Sequence, residues 1–511
     1  MTRVAGIVAA VSVAVLAAAP WLDQRLVWSG WLAMAAALVL ATGRHGWRHE
    51  LLILLAAIVS LAQAFHWAPW ALAEAMRADL KTGFLFAAPI VLWDACRLAL
   101  PFFFLARTVR DPRVAWLPAA LVAVVAEGMI PSVFPWKFGT SQMAWPITMQ
   151  SADLLGPEGP TFFLFAHAGS LVVLYGLAAG LVPRRVPVIG VAAVVLSAAN
   201  LGYGWWAMAA TAERAALAPT FRVAVVQANP DDTSGIDDLR RLTRNACQPV
   251  AGRLPDLVCW PECSGGSYEE GLESFADEET VQRRSRPPLQ GLRPLPDPPC
   301  PLLLGGKIYR GYPEKPREIF QAALLIDAAE RLVGCSHKRH LMPFGEYVPG
   351  ADLMPSLRLY FPMEDEFAAG TTGTVLECGA ARLGTLLCYE DMVPEASSSL
   401  VNRSANVLVS LINGSSFTAT LTLTQHRLLA QCRAIENRRS LVRCSATGET
   451  CVISPLGTID ARLPPGKPGF LIADVPLLEG QTVATRFGRW FPVASALALA
   501  VGWAWRRGRP A

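Results

Sequence analysis

The sequence predicts a multi-span α-helical membrane bundle of about eight helices, joined to an extracytoplasmic α/β domain. Three observations carry this reading. Of 511 residues, 53% are hydrophobic and only 17% charged, too apolar for an ordinary soluble chain of this length. The apolar excess is concentrated in residues 1–210 and again at 489–505. Between them, from Phe221, short β-branched and apolar runs alternate with helical stretches, the pattern of an α/β layered domain.

Crossing a bilayer core takes about 20 apolar residues. Stretches that qualify lie near 4–22, 26–42, 51–69, 82–106, 114–131, 161–182, 186–209 and 489–505. The first is open to reading as a signal peptide, but it lacks a polar cleavage region and runs straight into further spans, so it is taken as a helix. The fourth carries Asp94 and Arg97 one turn apart. Charges within a span often mark function, yet a structural pair inside the bundle explains them equally. Sorting the basic residues by side places eleven arginines on one face, from Arg3 through Arg44, Arg107 and Arg184 to Arg509. The other face's short loops hold four: Arg25, Arg77, Lys81 and Lys137. The positive-inside rule then puts both termini in the cytoplasm and residues 210–488 outside. The organisation expected is 1–210 as seven helices, 211–480 as the extracytoplasmic domain, and 481–511 as a return segment, last helix and basic tail. The net charge of +4 reflects the cytoplasmic arginines; there is no basic stripe with interleaved aromatics, so no nucleic-acid partner is expected.

Within the domain, strands are expected at 222–227, 256–260, 302–306, 322–326, 382–387, 405–410, 441–444, 450–453 and 469–473, with a helix over 422–437 carrying Gln425, His426, Arg433 and Glu436. The Arg- and Pro-rich stretch 283–301 reads as an irregular loop. There is no Gly-rich phosphate loop and no internal repeat.

Three residues stand at or just beyond strand ends, where α/β sheets gather their sites. They are Glu262 in Cys-Trp-Pro-Glu, Lys338 in His-Lys-Arg-His, and Cys388 in Leu-Leu-Cys-Tyr-Glu-Asp. A carboxylate, an ammonium and a thiol together suit acyl transfer through a thioester. Glu262 would take the Cys388 proton, since a thiol of pKa near 8.5 is only a few per cent ionised at neutral pH. Lys338 would stabilise the tetrahedral oxyanion with the backbone N–H of Tyr389, and Glu346 would hold Lys338 charged and oriented. Each residue also has a plainer reading: Cys388 as a small core residue, Glu262 as a cap or surface acid, Lys338 as part of a solvated patch with Arg339 and His340. Of eleven cysteines, ten lie in or next to the domain. Cys259 and Cys263 are spaced for a bridge or a metal half-site, but no second Cys/His pair completes a zinc set, so neither metal nor cofactor is expected.

These motifs resemble the nitrilase superfamily, and with the membrane spans they resemble the apolipoprotein N-acyltransferase family over nearly the whole chain. Glu262 matches the family's Trp-Pro-Glu. Lys338, eight residues ahead of Glu346 in Pro-Phe-Gly-Glu-Tyr-Val-Pro, matches its lysine. Cys388-Tyr389-Glu390 matches its nucleophile motif, and Gln425-His426, Arg433-Ala-Ile-Glu436, Leu441-Val-Arg443 and Thr447-Gly448 follow its pattern. Phe134-Pro-Trp136, Gly139, Gln142, Gln150 and Gly156 look like its loop between helices five and six. The resemblance implies an αββα sandwich, a Glu262–Lys338–Cys388 triad supported by Glu346, Tyr389 and Glu390, and a bacterial inner-membrane location with the domain in the periplasm. It also implies a ping-pong reaction. Cys388 takes an acyl chain from a phospholipid, and the N-terminal amine of an S-diacylglyceryl-cysteine apolipoprotein resolves the thioester.

The sequence departs from that family in its loops. Cys263-Ser-Gly-Gly266 follows Trp-Pro-Glu where the family has Thr-Ala-Leu-Pro. Asn413-Gly-Ser-Ser-Phe-Thr418 lacks a tryptophan, and Gln227-Ala-Asn-Pro230 has none nearby. The alternatives are therefore a divergent N-acyltransferase acting on another amine, a membrane-tethered amidase or hydrolase in which water resolves the thioester, and a non-catalytic scaffold. A transporter fits least, since the spans hold few ionisable residues and no paired broken helices. The apolar stretch Leu353–Met363 reads either as a lid at a lipid interface or as packing on the domain.

Overall fold

The computed structural model describes residues 3–43, 46–76, 78–180, 186–228, 235–248, 253–265, 267–269, 295, 298–310, 318–361, 363, 366–414 and 420–507. The chain divides into two compact units, one of residues 1–73, 78–210 and 482–511, the other of 74–77 and 211–481.

In the first unit each of the eight apolar stretches falls on a helix: α1 (Arg3–Leu22), α2 (Ser29–Gly43), α3 (Trp47–Ala64), α4 (Leu80–Thr108), α5 (Pro112–Met129), α6 (Gly159–Ala178), α7 (Val188–Leu217) and the helix Trp490–Arg507. Five of them, α3 to α7, are long and apolar enough to cross a membrane, and the other three carry the shorter apolar stretches Ile7–Leu22, Ser29–Thr42 and Trp490–Trp505. Asp79 and Asp111 start α4 and α5 by accepting the Thr82 and Arg113 backbone N–H groups at 2.9 Å. Without a hydrophobic drive between helices in lipid, close packing needs small residues. Ala115, Ala119, Ala120 and Ala123 of α5 supply them, and Gly169 of α6 lies so close to the Trp116 ring that a Cβ there would come within 2.6 Å.

The charges of this unit hold its loops. Arg97 donates to Asp94 at 3.1 Å and to the Trp136 carbonyl at 3.2 Å, while the Ser132 hydroxyl donates to Asp94 at 2.9 Å. Glu127 accepts from the Phe138 N–H and the Thr161 hydroxyl, and Lys137 pairs with Glu158 at 2.6 Å. The Asp94–Arg97 pair thus has the structural role of tying segment 132–142 into the bundle. Removing one partner would leave the other buried and uncompensated. Gln142, on that segment, accepts from the Trp31 indole at 2.6 Å.

The second unit is built from two sheets. One runs β13 (Gly469–Pro476), β1 (Thr220–Gln227), β2 (Leu257–Cys259), β4 (Leu302–Arg310), β5 (Glu318–Ile326), β6 (Leu332–His337), with β3 (Ser267–Glu269) paired to β4. The other runs β12 (Ile459–Arg462), β11 (Cys451–Ile453), β10 (Leu441–Ser445), β9 (Val407–Ile412), β8 (Ala381–Leu387), β7 (Val375–Cys378). Alternation along each strand sorts the layers. Val223 and Val225 face one core with Leu257, Leu303, Leu383, Val409 and Val442, so the sheets pack face to face. Ala224, Val226 and Val258 face outwards onto Leu239, Leu242 and Ala246 of α8 (Gly235–Ala246). On the far side, Leu386, Leu408 and Leu441 pack on Ala396 and Leu400 of α9 (Pro394–Asn402) and on Ala430 and Ala434 of α10 (Thr420–Asn437). The unit is an αββα sandwich.

Each sheet has a parallel centre: β1, β2 and β4 in the first, β8, β9 and β10 in the second. β6 is antiparallel to β5, which is antiparallel to β4, so β6 points the same way as that centre. The expected strands are all present. β3, β6, β7 and β12 are additional, and the loop expected at 283–301 lies largely outside the described residues.

Candidate active site

The three residues singled out in the sequence meet at the carboxyl ends of strands drawn from both sheets. Glu262 follows β2 through Trp260-Pro261, Lys338 follows β6, and Cys388 follows β8. The Lys338 ammonium donates to Glu262 Oε1 at 3.3 Å and to Glu346 Oε1 at 2.6 Å. The other Glu262 oxygen accepts from the Asn413 N–H at 3.2 Å, just past the end of β9. Register puts this beside the thiol, because Leu387 pairs with Leu411 and Cys388 is therefore level with the residue before Asn413.

Close approach fixes the carboxylate. Gly305 of β4 hydrogen-bonds the Pro261 carbonyl, and a Cβ at Gly305 would fall 2.6 Å from the Glu262 Cα. Only glycine leaves that room. Glu346 is held by the tight turn that precedes it: its second oxygen accepts from the Met342 N–H at 2.8 Å, and Phe344 sits at φ +64°. Cys388 itself has φ +48°, a left-handed conformation unusual for a side chain with a Cβ, at the start of a single 3₁₀ turn over Cys388–Met392. The β8 strand thereby turns abruptly at the sulfur.

Glu390 joins the lysine and cysteine segments. One oxygen accepts from the Arg339 and His340 N–H groups at 2.9 and 3.1 Å, the other from the Leu387 N–H at 2.9 Å. Burial acts to raise its carboxyl, but the His340 side chain and these N–H groups outweigh it and hold Glu390 below the usual range. Tyr389 is buried, and burial pushes its phenol up to about 12.

Glu262 is 6% and Lys338 1% exposed, so the surface-acid and solvated-patch readings are set aside; Cys388 is half-buried. Burial pushes the Glu262 carboxyl above the ordinary range, against the pull of Lys338, with Glu346 adding to the rise. For Lys338, burial opposes the charge, but the Glu262 and Glu346 carboxylates prevail and hold the ammonium well above its usual value. Burial, then the Glu262 carboxylate, keeps the Cys388 thiol well above its ordinary range despite Lys338. The resting arrangement is thus thiol, charged lysine and a carboxylate of raised basicity.

Sequence reasoning did not single out Asn413 as a partner of Glu262, nor the cluster under the 3₁₀ turn. There Asp391 accepts from His426 at 2.6 Å, from Ser410 at 2.9 Å and from Arg443 at 3.2 Å, and Arg433 of α10 donates to the Met392 carbonyl. Asn413 stands at a strand end like the other three, and that signal was available. The bridge between Cys259 and Cys263 that the spacing left open is not formed: Cys259 points into the sandwich core and Cys263 lies exposed beyond Glu262.

Residues 222–485 match the family model described as carbon-nitrogen hydrolase. The chain is 30% identical over 384 residues to the apolipoprotein N-acyltransferase of Geobacter metallireducens, covering 72% of this chain and 69% of that one. It is 30% identical over 453 residues to the protein of that name from Azotobacter vinelandii, covering 84% and 79%. For the Rhizobium etli protein the identity is 28% over 469 residues, covering 84% and 82%.

Proposed function

The chain belongs to the apolipoprotein N-acyltransferase family, among the carbon-nitrogen hydrolases, and from that premise we propose that it moves a fatty acyl chain from a phospholipid to the N-terminal amine of a diacylglyceryl apolipoprotein through a thioester on Cys388. The observation that carries this is the buried Glu262–Lys338–Glu346 array at the strand ends beside Cys388, in a chain that also bears membrane helices.

The steps follow from the charges. As Cys388 Sγ attacks the phospholipid ester carbonyl, its proton passes to Glu262, whose raised basicity suits that role. The Lys338 ammonium, kept charged by two carboxylates, and the Tyr389 N–H offset the negative charge growing on the carbonyl oxygen. The tetrahedral intermediate collapses, Glu262 returns the proton to the leaving lysophospholipid oxygen, and the thioester remains. The incoming amine then attacks, its surplus proton goes to Glu262, and Cys388 leaves as the thiol. The arginine asymmetry supports an inner-membrane protein with both termini cytoplasmic and the domain on the periplasmic side.

Incubating the detergent-solubilised protein with phospholipid and weighing it intact tests both halves. A fatty-acyl adduct is expected, discharged by a diacylglyceryl lipopeptide bearing a free amine and persisting in its absence. An adduct that water discharges as fast as the lipopeptide does would instead assign the chain to the hydrolases.

The apolar stretch after Gly350 supports the lipid side of this reading. Leu353, Met354, Leu359 and Tyr360 are 94, 57, 81 and 59% exposed, while Arg358 anchors the segment to the Ala351 carbonyl and to Glu366. Phe361 differs: it is buried against the Phe344 ring, 4.8 Å between centroids, two residues before Glu346. Replacing Leu353, Leu359 and Tyr360 together by serine is expected to lower turnover on phospholipid in bilayers about tenfold or more, and on a short-chain soluble thioester little, because only apolar contact with lipid is lost. Equal loss on both substrates would remove the lid role.

A further inference from the structure

The geometry points to a structural disulfide between Cys247 and Cys300. Their Sγ atoms lie 3.8 Å apart, and both side chains are buried in one apolar cluster with Ala246, Trp260 and Leu302. Closing that gap to a bond of about 2.05 Å requires less than 2 Å of movement. The backbones around both residues are already pinned. Cys247 directly follows α8 and donates its N–H to the Thr243 carbonyl at 2.9 Å. Cys300 precedes Pro301, whose carbonyl accepts from Val258 of β2 at 2.9 Å, and β4 begins at Leu302. The bond would link α8 to the start of β4 beside β2 in the centre of the sheet, and β2 is the three-residue strand that leads to Glu262.

This inference rests on the proposed placement of the domain on the oxidising side of the membrane, where disulfides persist. In the reaction two Sγ–H bonds are given up and one Sγ–Sγ bond forms. The two electrons and two protons pass to the disulfide of a thiol-oxidising protein, whose own S–S bond breaks to give two thiols. Because the folded core covers both sulfurs, exchange takes place before the core closes. The pairing also serves the proposed chemistry. Cys388 must remain a thiol, and joining Cys247 to Cys300 removes two competing partners while the chain is still open.

The test uses the full-length protein, expressed with an active extracytoplasmic oxidation system, quenched with a thiol-alkylating reagent before lysis, and digested without reduction. The expected result is a linked pair of peptides containing Cys247 and Cys300, two hydrogens lighter than their sum, absent from the Cys247→Ser/Cys300→Ser variant. Reduction is expected to lower the melting temperature of the wild type by at least about 5 °C, since the bond closes a ring spanning 53 positions, and to leave the double variant unmoved. In parallel, a membrane-impermeant lysine reagent is applied to intact spheroplasts. If the domain is labelled from outside and both cysteines are alkylated, the disulfide is overturned while the topology stands. If the domain is labelled only after the membrane is broken and both cysteines are alkylated, the disulfide and the topology fall together.

Discussion

Replacing Cys388 by serine is expected to remove the acyl adduct and to lower turnover by at least about 1,000-fold, while changing stability by no more than about 1 kcal/mol. The change is nearly isosteric, and serine meets the same φ of +48° with the same kind of Cβ. The loss is chemical. Burial and the neighbouring carboxylate already hold the thiol well above its usual range, so Glu262 must take the proton as the bond to carbon forms. A hydroxyl is far less acidic than a thiol, and a carboxylate is too weak a base to prepare it. Intact mass after incubation with phospholipid is the measurement. An adduct of undiminished yield on the serine variant would place the acyl chain on another residue.

Lys338→Met is expected to act on both rate and stability. Methionine keeps most of the apolar stem but removes the ammonium that Glu262 and Glu346 share. Thioester formation should slow by about 100–1,000-fold, the usual cost of removing a charge-stabilising donor. Stability should fall by about 3–5 kcal/mol at pH 8, because two carboxylates are left buried without their counter-charge. The pH dependence has a definite sign. Without the lysine, burial and the nearby Glu346 carboxylate hold the folded-state Glu262 carboxyl still further above its unfolded value near 4.3. Such groups favour the folded state when protonated, so the penalty is smallest at low pH and grows as pH rises through the raised values. Urea denaturation at pH 5 and pH 8 measures this. A penalty that is the same at both, or larger at pH 5, would mean that the two carboxylates do not depend on Lys338.

Much of this was legible from residue order alone. The eight apolar stretches stand out because a membrane helix is apolar all round, a signal that does not depend on partners. Glu262 and Cys388 were visible because each follows a run of buried strand residues, and Lys338 because His-Lys-Arg-His stands just ahead of Pro-Phe-Gly-Glu. Their company was not. Asn413 reaches Glu262 only because β9 lies next to β8 in this register, and Asp391 meets His426 and Arg443 across 35 and 52 residues of chain. Strands β7 and β12 escaped because an edge strand such as Ile459-Asp-Ala-Arg462 alternates too briefly to be told from a loop. The exposed Leu359 and Tyr360 and the buried Phe361 are adjacent and equally apolar, so composition could not separate them.

The pairing of β1 with β13 has a consequence in time. Phe221 lies opposite Val475, so the first strand of the domain, paired early with β2, finds its other neighbour only when the last strand has been made. Glu262 belongs to one sheet and Cys388 to the other, and their meeting depends on the two sheets having closed on a common core. Long-range pairing of this kind forms late. A ribosome-bound chain that ends before residue 469 therefore carries Glu262, Lys338 and Cys388 but leaves one side of β1 unpaired.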